Sequence, residues 1–152
     1  VISEVLQVIL ESSFQPKRTL QFMAYAAEEV GLRGSREIAG AYRDAGKKVI
    51  AALQLDMTAY AGSQKNMYLI TDYVSADLTD FLKDLIREYN GPGPHQITYG
   101  ETACGYACSD HVAWTGIGVP ASFPFEAAFS DYNRNIHSAN DTMSNLDASG
   151  WD

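Results

Sequence analysis

Residues 19–35 read TLQFMAYAAEEVGLRGS, and this stretch holds the features that decide the fold class. Residues 19–26 are an apolar run of the kind that forms a buried strand. Two adjacent carboxylates, Glu28 and Glu29, follow at once, and Ser35 stands where it can cap a helix. A strand, an acidic turn and a helix in this order are typical of α/β proteins.

The flanking sequence continues this alternation of strands and helices. Further strands are predicted at residues 49–57, 67–71, 96–99 and 119–125. Helices are predicted over the opening residues, from Ser35 towards Gly46, from Ser75 to the breaker at residues 91–94, and from Ser109 through Trp114. Continuous apolar strands separated by helices indicate a sheet that is covered on both faces, so we expect one α/β domain without internal repeats.

The composition limits the partners that the chain can have. Its 152 residues include 11 Lys and Arg against 19 Asp and Glu, which gives a net charge of −8. This balance argues against nucleic acid and anionic membranes, since phosphate binding depends on clustered Lys and Arg. No apolar run approaches the ~18 residues of a membrane span. The chain opens at Val1 inside a helical pattern with no capping residue, which predicts a processed chain or a fragment.

Acidic residues follow three of the predicted strands. Glu28 and Glu29 follow the first, Asp56 ends the second, and Glu126 follows the last. Ligands bind at the carboxyl ends of strands in open α/β sheets, so these carboxylates are candidates for a shared site. An isolated Glu-Glu pair is equally compatible with a solvated loop or helix entry, and the pattern alone leaves both interpretations open.

The chain has three histidines, and their surroundings differ. His95 lies in a breaker-rich loop and is predicted to be a surface residue, while His111 at a helix start is predicted to be structural. His137 lies in the polar segment after the last strand, four residues before Asp141, and can reach the rim that carries Glu29. Histidine together with carboxylates is a ligand set suited to zinc or a similar dication.

Two cysteines, Cys104 and Cys108, stand four residues apart. A local disulfide in an exported protein is the favoured hypothesis. A zinc site that includes His111 and a pair of reduced thiols both stay open, although the second Cys-x-x-Cys half of a strong zinc motif is missing. The spacing excludes a redox-active Cys-x-x-Cys pair.

Four segments together resemble the M28 family of zinc aminopeptidases. Residues 24–35 are similar to its Glu-Glu segment, and Leu55-Asp56-Met57 is similar to its aspartate segment. Residues 104–111, CGYACSDH, resemble the disulfide loop of the secreted, Vibrio-type bacterial leucyl aminopeptidases within the family. Residues 131–142 resemble the final histidine segment of that branch. The motifs occur in the right order over nearly the whole chain.

The resemblance implies a fold and an extent. The fold would be a three-layer α/β sandwich, with a mostly parallel mixed sheet flanked by helices, as in zinc exopeptidases. Residues 1–152 would form a C-terminal portion of the catalytic domain, without its N-terminal part and its last helix. A disulfide between Cys104 and Cys108, and a secreted or periplasmic location, are implied as well. The intact domain is expected to be a monomer.

The resemblance also implies roles for individual residues. Glu28 would be the general base, Glu29 would bind one zinc ion, and Asp56 with His137 would bind the other. Two zinc ions roughly 3.5–4 Å apart would share a water and polarise the scissile carbonyl. Glu28 would take the proton of that water and pass it to the leaving amine. Substrates would be peptides with a free N-terminus, which makes the enzyme an exopeptidase.

Specificity would come from an apolar pocket that favours large, Leu-like N-terminal residues. The residues that the resemblance assigns to this pocket are Met57, Ile70, Cys104, Tyr106, Cys108, Phe123, Phe125, Phe129, Tyr132 and Ile136. The disulfide would hold Tyr106 against it. Phe123 and Phe125 are equally compatible with ordinary strand core.

The chain departs from the family pattern in one respect that affects its chemistry. The five-ligand site of the family includes a His from an early His-x-Asp segment and a bridging Asp, and no His precedes His95 here. We therefore expect two zinc ions in the intact domain, but one weakly bound ion or none in this chain, with little or no activity. The alternatives are a non-catalytic, peptidase-like binding module and a related metallo-carboxypeptidase or deacylase.

Overall fold

The computed structural model describes residues 1–93 and 96–146. His95, predicted to be a surface residue, lies outside the described residues. The helices are α1 (Ile2–Glu11), α2 (Arg33–Asp44), α3 (Ala76–Tyr89) and α4 (His111–Thr115). The strands are β1 (Ala52–Leu53), β2 (Met67–Ile70), β3 (Tyr99–Thr102), β4 (Ala121–Ser122) and β5 (Pro124–Phe125). Short 3-10 turns occupy Glu28–Val30, Phe129–Asp131 and Met143–Asn145.

The strands form two small groups that meet at Phe123. Strand β1 pairs in parallel with β4, while β2 lies between a parallel β3 and an antiparallel β5. Phe123 lies between β4 and β5, and its carbonyl accepts a hydrogen bond from the amide of Ile70 at 3.0 Å. The arrangement is mixed and mostly parallel, as predicted.

Helices pack on both sides of β4, because successive residues of a strand point to opposite faces. Ala121 is fully buried in a cluster with Ala39 of α2 and Trp114 of α4. Its neighbour Ser122 faces the other way, and its hydroxyl lies 2.9 Å from the hydroxyl of Thr79 in α3. The predicted α/β fold class, with a sheet flanked by helices, is confirmed.

Helix α3 forms as its sequence predicts. Ser75 precedes it in an extended conformation, and its hydroxyl accepts a hydrogen bond from the amide of Leu78 at 3.3 Å. This cap satisfies one of the amide groups that lack a partner at the start of every helix. The helix ends at Tyr89, just before the predicted breaker.

The predicted strand at residues 19–26 is wrong. Those residues join no ladder within the part of the chain that the structure describes, and Leu20 and Phe22 are 49% and 41% exposed. A strand is defined by its hydrogen-bonded partner, which an apolar run cannot supply by itself. The segment is held instead by side chains, since the Tyr25 hydroxyl accepts a hydrogen bond from Trp114 Nε1 at 2.8 Å.

Other boundaries also differ from prediction. The strand predicted at residues 49–57 shortens to Ala52–Leu53, and residues 119–125 divide into β4 and β5, which pair with different neighbours. The extended piece predicted at residues 96–99 begins only at Tyr99 and continues to Thr102. Ser35 does not cap α2, which begins at Arg33, and its hydroxyl instead donates to the Leu32 carbonyl.

Candidate active site

A tight turn presents the two adjacent carboxylates. Glu28 and Glu29 begin a 3-10 turn, and Ala27 before it has a φ of 58°. This left-handed conformation is strained for a residue with a side chain and is common at functional sites. Gly34 lies so close to Ala26 that an added Cβ would stand 2.5 Å from the Ala26 carbonyl oxygen. The sequence therefore folds back on itself and holds both carboxylates at one edge.

The structure brings His137 into contact with Glu29. Nε2 of His137 lies 2.9 Å from Oε1 of Glu29, and both side chains are about two-thirds exposed. His137 has a φ of 62°, so the contact is built on another left-handed backbone position. Residues 108 positions apart in sequence are thus in contact. The prediction that His137 and Asp56 share one ion stays a prediction, and the recorded contact of His137 is with Glu29.

Among the acidic side chains that the structure describes, Glu28 is the one whose pKa its surroundings shift most. Burial, followed by the negative charges of Asp56 and Glu29, raises the pKa of Glu28 to about 6. Nearby His137 opposes part of the rise. A carboxyl with a raised pKa between other acids is a feature of catalytic sites.

Asp56 is oriented by a hydrogen-bonded chain that the sequence did not reveal. The Ser109 hydroxyl donates to Asp56 Oδ2 at 2.7 Å and accepts from Nε2 of Gln54 at 3.2 Å. Ser109 was predicted to cap a helix, but α4 begins at His111 and has no side-chain cap. The bond between Ser109 and Asp56 joins residues that are 53 apart in sequence. The one feature of the sequence that points to a role for Ser109 is its position inside the CGYACSDH segment.

Cys104 and Cys108 form a disulfide. The predicted local disulfide is therefore confirmed, and a zinc site built from these two cysteines and a pair of reduced thiols are both wrong. Asp72, which had no predicted role, grips the loop: its carboxylate accepts hydrogen bonds from the amides of Cys104 at 2.9 Å and Gly105 at 2.6 Å. Two backbone donors on one carboxylate hold the loop in a fixed position.

Most of the predicted pocket residues lie in one apolar cluster. Its buried members are Ile70, Cys104, Phe123 and Phe125, and the half-buried residues packed against them include Met57, Cys108, Phe129 and Tyr132. Tyr106 is 56% exposed and meets Phe129 edge-on, with ring centroids 6.0 Å apart. Ile70 and Phe123 are almost fully buried and so belong to the core behind the surface.

Ile136, the remaining predicted pocket residue, lines a separate cavity beside Asp56. The cavity has a volume of about 230 Å³. Its lining consists of Asp56, Met57, Thr58, Ala59, Glu126, Asn133, Ile136, Asp141 and Leu146. It lies between the loop after β1, which carries Asp56, and the loop that leads to His137.

The predicted ligands lie near one another without forming a complete metal centre. Within residues 1–93 and 96–146, no group of three or more His, Cys, Asp or Glu side chains is arranged to hold a metal ion. Glu29 and His137 are in direct contact, with Oε1 and Nε2 2.9 Å apart. One imidazole nitrogen beside carboxylate oxygens matches the donor chemistry of zinc.

Comparison with known proteins decides the family. The sequence model described as "Peptidase family M28" matches residues 1–152. This chain belongs to peptidase family M28. Within it, the chain is 42% identical over 139 residues to a probable aminopeptidase of Saccharomyces cerevisiae, a match that covers 90% of this chain and 36% of that protein. It is 40% identical to leucine aminopeptidase 1 of Sclerotinia sclerotiorum, over 95% of this chain and 39% of that one.

A solved structure of an M28 relative shares the fold. The LapA aminopeptidase of Legionella pneumophila superposes with a TM-score of 0.87 at 38% identity, over 96% of this chain and 38% of that protein. The M28 chain described here thus spans about two fifths of the length of these relatives. None of the helices that the structure describes is long and apolar enough to cross a membrane.

Proposed function

We propose that residues 1–152 are a C-terminal portion of a zinc aminopeptidase catalytic domain that removes large, Leu-like residues from the N-termini of peptides. The observation that carries the proposal is the contact of Glu29 Oε1 with His137 Nε2 at 2.9 Å, next to the Glu28 carboxyl in the same turn. The family match and the names of the relatives support it. A secreted or periplasmic location is part of the proposal and rests on the disulfide.

The donor set fits zinc. The contact between Glu29 and His137 favours these two as ligands of the same ion, with Asp56 on a second ion, which differs from the sequence-based assignment. When bound, zinc supplies Lewis-acid chemistry that polarises a peptide carbonyl and makes water more acidic. The Ser109 hydroxyl donates to Oδ2 of Asp56 alone. It therefore leaves Oδ1 of Asp56 free of hydrogen bonds from Ser109.

Glu28 is the proton carrier in this proposal. Its carboxyl adjoins Glu29 in the same turn, which places a group that can accept and donate a proton next to a proposed metal ligand. Glu28 then accepts the proton of the attacking water and delivers it to the leaving amine. The acidic surroundings of the residue also attract the positively charged N-terminus of a substrate.

The apolar cluster provides the preference for Leu-like residues. Phe129 and Tyr132 stand with ring centroids 5.3 Å apart, and Tyr106 meets Phe129 from the exposed side. Half-buried aromatic rings at the edge of a core offer a large apolar surface for a substrate side chain. Asp72 and the disulfide keep Tyr106 in place against this surface.

Release of a chromophore from a leucyl anilide tests the proposal on the full-length protein that carries this sequence. Replacing a general base lowers the rate by roughly 10²–10⁴-fold, so Glu28→Gln is expected to lose activity by that factor while still binding zinc. Glu88→Gln, at an exposed position on α3, is the matched control and should keep wild-type activity. Equal activity in Glu28→Gln and wild type would remove Glu28 from the base role.

Two further outcomes separate the alternative functions. An N-acetylated leucyl substrate should be inert, because the free amino group is part of what an aminopeptidase recognises. Hydrolysis of the blocked substrate would point to a carboxypeptidase or deacylase. A wild-type protein that binds peptides and turns over none of these substrates would be a binding module.

A further inference from the structure

Glu126 is a buried carboxylate that the proposed mechanism does not use. It follows β5 directly and is only 6% exposed. No Lys, Arg or His side chain forms an ion pair with it within residues 1–93 and 96–146. A buried carboxylate without a cationic partner is costly unless hydrogen-bond donors compensate it. The groups that donate hydrogen bonds to the Glu126 carboxylate therefore indicate the role of this residue.

Three backbone amides donate to this carboxylate. Oε2 accepts from the amides of Ala59 at 3.4 Å and Tyr60 at 3.1 Å, and Oε1 accepts from the amide of Asn133 at 3.3 Å. The two oxygens therefore bind two different segments of chain. Burial raises the pKa of Glu126, and these amide groups act in the opposite direction.

The two segments are the ones that carry proposed metal ligands. Ala59 and Tyr60 follow Asp56 by three and four residues, and Asn133 precedes His137 by four. All three segments, including Glu126 itself, border the cavity of about 230 Å³ beside Asp56. Glu126 is 66 and 67 residues from Tyr60 and Ala59 in sequence and seven from Asn133, so its carboxylate joins the Asp56 loop to a segment that lies far from it in sequence.

Asn133 extends the grip towards His137. Its side-chain Oδ1 accepts from the amide of Asn135 at 2.9 Å, and its Nδ2 donates to Asp141 Oδ1 at 3.1 Å. Asn133 itself is only 3% exposed, and both of these bonds are partly buried. Fixing the Asn133 backbone through Glu126 therefore fixes the turn on which His137 stands.

We propose that Glu126 is a positioning residue that sets the separation of the Asp56 loop and the His137 loop, and thereby the spacing of the metal ligands. The inference rests on the proposed function, in which Asp56 and His137 are ligands. A carboxylate suits the role because both of its oxygens accept hydrogen bonds, whereas an amide offers one acceptor and one donor group. In Glu126→Gln, at least one of the two loops faces the side-chain NH₂ group, which cannot accept a hydrogen bond from a backbone amide.

Zinc affinity of the full-length protein, measured by competition with a chelating dye, tests the inference independently of turnover. Changes to groups that orient metal ligands cost roughly 10–100-fold in affinity, and Glu126→Gln is expected to lose zinc affinity by that factor. Asn90→Asp is the matched control, because it makes the reverse exchange of amide and carboxylate at a side chain that also holds backbone, donating to the Ile97 carbonyl and accepting from the Ile97 amide, on a segment without a proposed ligand. It should keep wild-type zinc affinity.

Asp56→Ala separates this inference from the proposed function. Wild-type zinc affinity in Asp56→Ala would overturn the ligand set and the inference with it. Loss of affinity in Asp56→Ala together with wild-type affinity in Glu126→Gln would overturn the inference alone. Equal losses in Glu126→Gln and Asn90→Asp would also overturn it, since disturbing any side chain that holds backbone would then have the same effect.

Amide hydrogen exchange on the zinc-free wild-type protein covers the case in which Glu126→Gln does not fold. The amides of Tyr60 and Asn133 should exchange far more slowly than those of exposed loop residues, because the clamp exists before any ion binds. Fast exchange at these two amides would show that the loops are not held, and would overturn the inference.

Discussion

His111 shows how an individual residue responds to complete burial. It is 1% exposed, its ring lies 5.0 Å from that of Phe123, and neither ring nitrogen has a hydrogen-bond partner within the described residues. Burial lowers its pKa to about 4, and nearby Asp72 offsets only part of the effect. The imidazole is therefore neutral at pH 7 and serves as an apolar part of the core. The sequence-based prediction that His111 is structural agrees with this environment.

The lowered pKa of His111 predicts a pH-dependent stability. The unfolded chain binds a proton at His111 below a pKa of 6.5 and the folded chain only below about 4, so stability is lost as the pH falls through this window. The loss amounts to about 3 kcal/mol between pH 7 and pH 4. Denaturant unfolding of the full-length protein should show a flatter pH dependence in His111→Phe than in wild type.

A second variant controls for changes in packing around His111. Phe123→Leu alters the ring that His111 contacts without adding or removing a titrating group. It should shift the free energy of unfolding by a similar amount at every pH. Parallel pH curves for wild type and His111→Phe would contradict the prediction.

The contact between helix α3 and strand β4 leads to a prediction about the free energy of unfolding. The hydroxyls of Thr79 and Ser122 lie 2.9 Å apart, and the residues are 4% and 0% exposed. Removing one partner leaves the other buried without a hydrogen bond, at a cost of about 1–3 kcal/mol. Thr79→Val and Ser122→Ala should each lower the free energy of unfolding by that amount, while the double variant should lose much less than their sum.

An exposed pair provides the matched control for this cycle. Thr142 and Ser144 also place their hydroxyls 2.7 Å apart, but in contact with water. Thr142→Val and Ser144→Ala should each change stability by no more than about 0.5 kcal/mol. Additive losses at the buried pair would mean that the hydroxyls of Thr79 and Ser122 do not depend on each other.

The elements that sequence predicted well are those with local signals. Helix α3 has its cap at Ser75, a regular apolar face and a breaker behind it, all within one short stretch. Residues 19–26 have the composition of a strand, but pairing depends on a distant partner and no local pattern encodes it. The division of residues 119–125 at Phe123 likewise depends on which neighbours the two halves meet.

The candidate site divides in the same way. Glu28, Glu29, Asp56 and His137 stand in recognisable motifs, and the structure brings His137 to Glu29. Glu126 could be identified from sequence as an acid after a strand, but its role could not. Its burial and its three amide donors arise only when the distant loop with Ala59 and Tyr60, and the nearby segment with Asn133, fold against it.

At the scale of the whole molecule, association depends more on where apolar side chains are exposed than on the total amount of apolar surface. Helix α1 has no buried residue, and the large apolar side chains exposed around it include Val5, Leu10 and Phe14, at 43%, 70% and 56%. Exposed apolar side chains of this size favour association where they are adjacent on a surface. The net charge of −8 acts against association, because like-charged molecules repel one another.

The ligands present in the whole chain also allow a prediction of how many zinc ions it binds. Two ions roughly 3.5–4 Å apart need ligands that hold both at once, and the described residues contain no group of three or more potential ligands in such an arrangement. The contact of Glu29 with His137 supplies two donors to one position. A zinc titration of residues 1–152 should therefore give one weakly bound ion at most, and His137→Ala should weaken even that binding. Two tightly bound ions per chain would contradict this, because the ligands present would then suffice for the complete centre.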